Sequence, residues 1–329
     1  MRKTLLLALW MLMSLTVAAQ VEFIVKGIAH KDAKTLMMIN LANAQDQPES
    51  VEVKDGQFTV KGNKPEGTVM TLFDREHRMQ SFFIVDGSTV ELDMNTDVAS
   101  GSKQNERLSA LVQQLNKTND EEIIEKVLRQ ALVDNRDNAV GAFALNYLMY
   151  SLTYDELKES MERDDPYLSN PLCEQARQRL KALSLRAPGT MFKDLEEADT
   201  LGISHKLSEY VGRGQYVLVD FWASWCGPCM MEMPNVKANY DKYHPMGFQV
   251  VGLSFDRSAD VWKKAIREKQ LNWIHLSDLK YWQTVASSTY GIRSIPSSIL
   301  CDPEGKIVAI DLRGKQLGEY LEKIYENNK

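Results

Sequence analysis

Cys226 and Cys229 stand three residues apart in the run Trp225-Cys226-Gly227-Pro228-Cys229, a spacing that fits thiol–disulfide exchange. Three residues make just under one helical turn, so two cysteines at the start of a helix bring their sulfurs within bonding reach. At a helix N-terminus, unpaired backbone N–H groups and the positive end of the macrodipole favour a thiolate at the first cysteine, and the thiolate is the reacting species. The expected cycle has two displacements: Cys226 attacks a disulfide, then Cys229 attacks the mixed disulfide and releases the reduced product. Other uses of the pair fit less well. A zinc site needs a second Cys or Cys/His pair, and His244 and His275 show no paired spacing. A purely structural bridge would close too small a loop to contribute much. Cys173 and Cys301 are isolated. Cys301 follows Ile299 and Leu300 on an expected strand and reads as a buried, inert thiol. The spacing leaves open whether the two bridge each other.

The elements around the pair alternate between strand and helix. An apolar strand over 216–222, interrupted only by Asp220, runs straight into the cysteine loop. A helix is expected from 226 to about 243, a buried strand over 248–255 and an amphipathic helix over 259–268. Strands at 297–301 and 307–311 flank the turn Asp302-Pro303-Glu304-Gly305, and a helix over 317–326 follows. This alternation implies a layered α/β domain over 186–329, opened by the helix-breaking Arg186-Ala187-Pro188-Gly189.

The 329 residues exceed one compact core. Residues 1–19 read as a cleaved secretory signal: Arg2 and Lys3 precede an apolar run from Leu5 to Val17, followed by Ala18-Ala19. The run is shorter than the roughly 20 residues that span a bilayer. Residues 20–101 show short strands with period-2 alternation. Hairpins are expected around Lys54-Asp55-Gly56 and Asp86-Gly87-Ser88, so an all-β antiparallel sandwich or barrel is expected. Residues 102–185 change to helical spacing, as at Leu108, Leu111, Val112 and Leu115, and form a helical connector. Asn119 is the expected cap of its second helix, and the aromatic and Met residues from Phe143 to Tyr150 read as core packing. The net charge of −6 with no basic block argues against a nucleic-acid partner.

The segment from Val217 to Cys229 resembles the active-site strand and loop of thioredoxin almost residue for residue, and Pro234 matches its helix-kinking proline. Ser294-Ile295-Pro296 resembles the cis-proline loop of that fold, which implies that the backbone of Ile295 pairs with an extended substrate segment beside Pro296. Glu232 and the long stretch between 256 and 290 resemble the envelope oxidoreductases of the TlpA/ResA type, and Ala187-Pro188-Gly189 has the look of the wider AhpC/TSA superfamily. Residues 22–115 resemble a domain of unknown function, DUF4369, found ahead of such domains. The resemblance implies that Asp220 accepts the Cys229 proton, with Glu232 as a second acceptor nearer solvent, and that Trp225 is a flat contact beside the sulfur. Gly227 and Pro228 complete the motif. One departure stands out: thioredoxin carries a lysine on the strand beside Asp220, where this chain has Gly252.

The Gly-Pro dipeptide between the cysteines resembles the strongly reducing thioredoxin pair. The expectation is an exported, cofactor-free and metal-free protein-disulfide reductase in the periplasm or envelope. Disulfide-bearing envelope proteins would be its substrates, with apocytochrome c thiols implied by the family. A membrane electron donor, such as a DsbD/CcdA-type reductant, would recharge it. An oxidase or isomerase is the alternative, and an envelope scaffold with subordinate redox activity is another. A peroxidase is disfavoured, because residues 219–226 lack the Thr-x-x-Cys setting such enzymes use.

Overall fold

The computed structural model describes residues 20–43 and 47–326; the expected signal, residues 1–19, lies outside them. The chain divides into two compact units. One takes in the described residues up to Leu152 together with Ser160–Ala176, and the other takes in Thr153–Glu159 and the described residues from Arg177 onward.

The first unit begins with eight strands: β1 (Gln20–Ile28), β2 (Thr35–Asn40), β3 (Glu49–Glu52), β4 (Gln57–Pro65), β5 (Val69–Asp74), β6 (Met79–Ile84), β7 (Thr89–Asp93) and β8 (Val98–Ser100). They form two four-stranded sheets, ordered β4-β1-β7-β8 and β3-β2-β5-β6. Their inward residues, among them Phe23, Val25, Leu36, Met38, Leu72, Phe83 and Leu92, share one apolar core. Alternation places these side chains on one face of each strand, which is why the segment forms a sandwich.

The two expected hairpins require correction. Asp55 and Gly56 adopt the left-handed conformation that a two-residue turn needs, and Lys54 and Gln57 exchange both backbone hydrogen bonds. Beyond that single bridge β3 pairs with β2 and β4 pairs with β1, so the strands part into opposite sheets. β6 and β7 part in the same way around Gly87. Pairing is antiparallel except between β1 and β7, which run parallel.

Helices α1 (Lys103–Leu115), α2 (Glu121–Asp134) and α3 (Ala139–Leu148) follow. α1 is held by buried Asn105, whose side chain accepts from the backbone N–H of Ile84 at 2.8 Å and donates to its carbonyl at 2.9 Å. The cap of α2 is Asp120 rather than Asn119; its carboxylate accepts from the N–H groups of Glu122 and Ile123. α4 (Tyr154–Glu162) opens on the reciprocal Thr153–Glu156 capping box, and α5 (Glu174–Ser184) precedes the second unit's sheet.

That sheet has seven strands: β9 (Glu196–Asp199), β10 (Ser204–Lys206), β11 (Tyr216–Trp222), β12 (Phe248–Ser254), β13 (Ile274–Ser277), β14 (Ser297–Cys301) and β15 (Ile307–Ile310), in the order β10-β9-β13-β12-β11-β14-β15. Helices α6 (Gly227–Tyr243), α7 (Ala259–Lys269), α8 (Val285–Tyr290) and α9 (Lys315–Tyr325) accompany it. β11 lies inside the sheet, parallel to β12 and antiparallel to β14. Being buried on both faces, it reads as a near-continuous apolar run. This is a thioredoxin-like α/β domain. β13, only four residues long, lies within the stretch between 256 and 290 whose length resembles the TlpA/ResA type. Among the described residues no helix is long and apolar enough to cross a membrane.

Candidate active site

β11 delivers the cysteine loop to one end of the sheet. Because β14 runs antiparallel to β11 and pairs Ser297 with Phe221, the loop before β14 lies at the same end. That loop contains Pro296, joined to Ile295 by a cis peptide bond. Sheet register therefore brings two segments 70 residues apart in sequence to one edge.

Cys226 is the N-cap of α6, and its Sγ accepts from the Cys229 N–H at 3.2 Å. The two sulfurs are joined in a disulfide with their Cα atoms 5.2 Å apart. Cys226 keeps 5% of its surface exposed and Cys229 none, so of the two only Cys226 reaches solvent. Pro228 occupies the first turn of α6, where its missing N–H leaves no helical bond unmade. Cys173 and Cys301 are both buried and outside this pair. The Cys173 thiol donates to the Tyr167 carbonyl, and burial pushes the Cys301 thiol up to about 12. A thiol held that high lacks the thiolate character that exchange needs.

Trp225 is 45% exposed. Its Nε1–H donates to the Phe255 carbonyl at 3.2 Å, and its ring lies 4.9 Å from that of Tyr281 and 6.1 Å from that of Trp282. The Arg257 guanidinium sits 4.0 Å from the Tyr281 ring. An open cleft lined by Trp225, Arg257, Val261 and Tyr281 flanks the cysteine loop.

Beneath the loop, Asp220 is buried on β11 with Oδ2 lacking any hydrogen-bond partner. Burial pushes its carboxyl up to about 7; Glu232 adds to the rise and Arg313 opposes it. Gly252 is its register partner on β12. A Cβ at Gly252 would come within 2.8 Å of both His275 Nδ1 and Trp222 Nε1, so a lysine has no room there. His275 supplies no charge in its place. Burial drives its pKa down to about 4, and its Nε2 pairs with the Leu271 carbonyl. Glu232, on α6, accepts from the Asn235 side-chain amide at 2.6 Å and from the Gly314 N–H at 2.9 Å.

Two residues at the site carry no motif that singles them out in the sequence. Asp256 is buried and accepts from the Ser224 N–H at 3.0 Å, the Ser224 hydroxyl at 2.5 Å and the Ser254 hydroxyl at 2.8 Å. It thereby pins the residue two before Cys226. Arg313, in the turn between β15 and α9, donates to the Pro296 carbonyl and is the cation whose field reaches Asp220. Their only sequence signal is position: an acid just past a buried strand, and an Arg-Gly step ahead of a helix.

Comparisons with known proteins agree with this chemistry. Residues 188–310 match the AhpC/TSA family, and residues 21–108 match a domain of unknown function, DUF4369. A thiol-disulfide oxidoreductase ResA from Bacillus thuringiensis subsp. konkukian is 33% identical over 147 residues, covering 42% of this chain and 76% of the relative. A ResA from Geobacillus thermodenitrificans is 27% identical over 146 residues, covering 44% and 78%. Among solved structures, the thioredoxin domain of a thiol-disulfide oxidoreductase from Bacteroides vulgatus is 37% identical, covers 43% of this chain and 99% of that one, and aligns with a TM-score of 0.40. A putative thiol:disulfide interchange protein DsbE from Chlorobium tepidum is 30% identical, covers 42% and 94%, and aligns with a TM-score of 0.36.

Proposed function

Because the chain belongs to the ResA family of thiol-disulfide oxidoreductases, we propose that it is an exported reductase of protein disulfides. Its substrates would be envelope proteins, with apocytochrome c among the candidate clients. The observation that carries this reading is the asymmetry of the pair: Cys226 caps α6 and keeps a small exposed area, while Cys229, inside the first turn, keeps none.

The geometry supports the following sequence. In the reduced state the Cys226 thiolate gains from the helix N-terminus and from the Cys229 N–H. It attacks one sulfur of the client disulfide, forming a mixed disulfide and releasing the other client sulfur. An extended client segment then pairs with the backbone at Ile295, as in strand addition, and Trp225 supplies a flat apolar wall. Cys229 gives its proton to Asp220, or through it toward Glu232, and attacks Cys226. The client leaves with two electrons and the Cys226–Cys229 disulfide forms. Recharging requires an outside dithiol, which a membrane donor of the DsbD/CcdA type would supply. The position of Arg2 and Lys3 ahead of an apolar run supports export.

A Cys229→Ser variant tests this directly. It should accumulate clients as mixed disulfides on Cys226 that dithiothreitol releases. A variant that traps no envelope protein, together with a native protein that fails to reduce insulin disulfides, would overturn the proposal.

A further inference from the structure

The turn between β15 and α9 contacts both the segment that starts at Pro296 and the Glu232 side chain on α6. Asp311, in the left-handed conformation, accepts from the Ser297 hydroxyl at 2.5 Å and the Ser298 N–H at 3.1 Å, fixing the two residues that follow Pro296. Two residues on, the Arg313 guanidinium donates to the carbonyl of Pro296 itself. The next N–H, that of Gly314, donates to Glu232 Oε1. The other cation at this turn, Arg186, is already engaged: it donates to the Tyr290 and Gly291 carbonyls and faces Asp311 Oδ2 at 3.5 Å. Arg313 makes no ion pair among the described residues.

We propose that Arg313 is a positioning residue of the exchange reaction: its side chain holds the cis-proline carbonyl where the client strand docks and, beside the Gly314 N–H that binds Glu232, brings a positive charge to the side of buried Asp220. The inference rests on the reductase reading and assigns a residue to its resolving step. The groups facing Asp220 can be named element by element. α6 contributes the charge of Glu232, β14 the neutral Ser298, and β12 the side-chain-free Gly252, with His275, buried and neutral, beyond it. Arg313 is the positive charge that acts on this set. It enters from a loop because the strand position a lysine would need is closed by Trp222 and His275.

In the resolving step the Cys229 S–H proton passes to the Asp220 carboxylate, the Cys229 sulfur bonds to Cys226, and the mixed disulfide breaks. The client sulfur departs with the bonding electron pair and takes a proton from water. The step needs Asp220 ionised, and Arg313 favours that form. The carbonyl contact serves a separate purpose: it keeps the Ile295–Pro296 backbone aligned for pairing with the client.

The two roles separate under substitution. In the full chain, Arg313→Gln should move the acid limb of the pH–rate profile upward by roughly half a unit to one unit and raise the KM for a disulfide peptide several-fold. Arg313→Lys keeps the charge but loses the planar fork; it should return the acid limb to the native position while KM stays raised. A second readout is independent of turnover: the Asp220 carboxyl, followed by carbon-13 NMR in the reduced full chain, should titrate higher in Arg313→Gln than in the native protein. An unshifted Asp220 titration in Arg313→Gln, or a uniform fall in rate with no movement of the acid limb, would overturn the inference. Failure of the native protein to reduce any disulfide would instead strike the reductase reading, and the NMR titration would still decide the role of Arg313.

Discussion

The β-sandwich and the α/β unit treat their buried polar groups differently. In the β-sandwich, buried Asp74 accepts from the backbone N–H groups of Glu76 and His77 and pairs with His77 Nδ1 at 2.8 Å. Burial alone would raise its pKa, but these partners hold it below the ordinary aspartate value. Asn105 is likewise satisfied on both sides. In the α/β unit, Asp220 Oδ2, Glu197 Oε2, Trp222 Nε1 and His275 Nδ1 are buried with no partner. Burial pushes Glu197, as well as Asp220, up to about 7, despite the hydrogen bond from Thr284. A buried polar group without a partner costs stability, and such groups gather where function overrides packing. The sandwich holds its acids as structural anchors, whereas the α/β unit keeps Asp220 near the pH at which it can exchange a proton.

Substitutions that swap these roles would break the comparison. The largest effect is expected for Cys226→Ser, which should lower insulin reduction by at least about a thousand-fold in a turbidity assay. Asp74→Ala should leave that rate unchanged. Asp220→Asn removes the proposed proton acceptor and should slow the resolving step by about ten- to a hundred-fold, measured by single-turnover quench on a disulfide peptide.

Stability should move oppositely for the two acids. Between the ordinary value of 3.8 and about 7, native Asp220 holds a proton that the unfolded chain has released. Its contribution is therefore full below the unfolded value and is lost as pH rises through about 7, by on the order of 4 kcal/mol. Asp220→Asn should flatten this fall and unfold at higher denaturant than the native oxidised protein at pH 8. Asp74 is the reverse case: its contribution is present above 3.8 and lost as pH falls below it. Asp74→Ala should cost about 1–3 kcal/mol at pH 7 in a urea titration. A cost of the same size, about 1–3 kcal/mol, is expected from Gly252→Ala, which crowds Trp222 and His275 while sparing Cys226.

What the sequence made legible follows from the range of each interaction. The run from Val217 to Cys229 is local, so strand, loop and helix start could be read directly. The pairing of Gly252 with Asp220 followed from aligning two apolar strands. Period-2 alternation around Asp55-Gly56 correctly marked faces and turn. It could not show that the strands leave the turn for different sheets, because alternation reports which face is buried and not which neighbour is paired. Asn119 and Asp120 are both good caps, and only geometry shows which carboxyl or amide reaches the free N–H groups. Arg313 and Asp256 were invisible because each acts on a segment 17 or more residues away. No spacing rule encodes such a contact.

The central claim is that the two cysteines differ in kind: an approachable nucleophile at the cap and a shielded resolver one turn inside. It is tested most directly by brief alkylation of the fully reduced protein with iodoacetamide at pH 7, with each cysteine located by peptide mass spectrometry. The account predicts that Cys226 is labelled first, while Cys229, Cys173 and Cys301 stay protected until the protein is unfolded. Equal labelling of Cys226 and Cys229, or preferential labelling of Cys229, would contradict it.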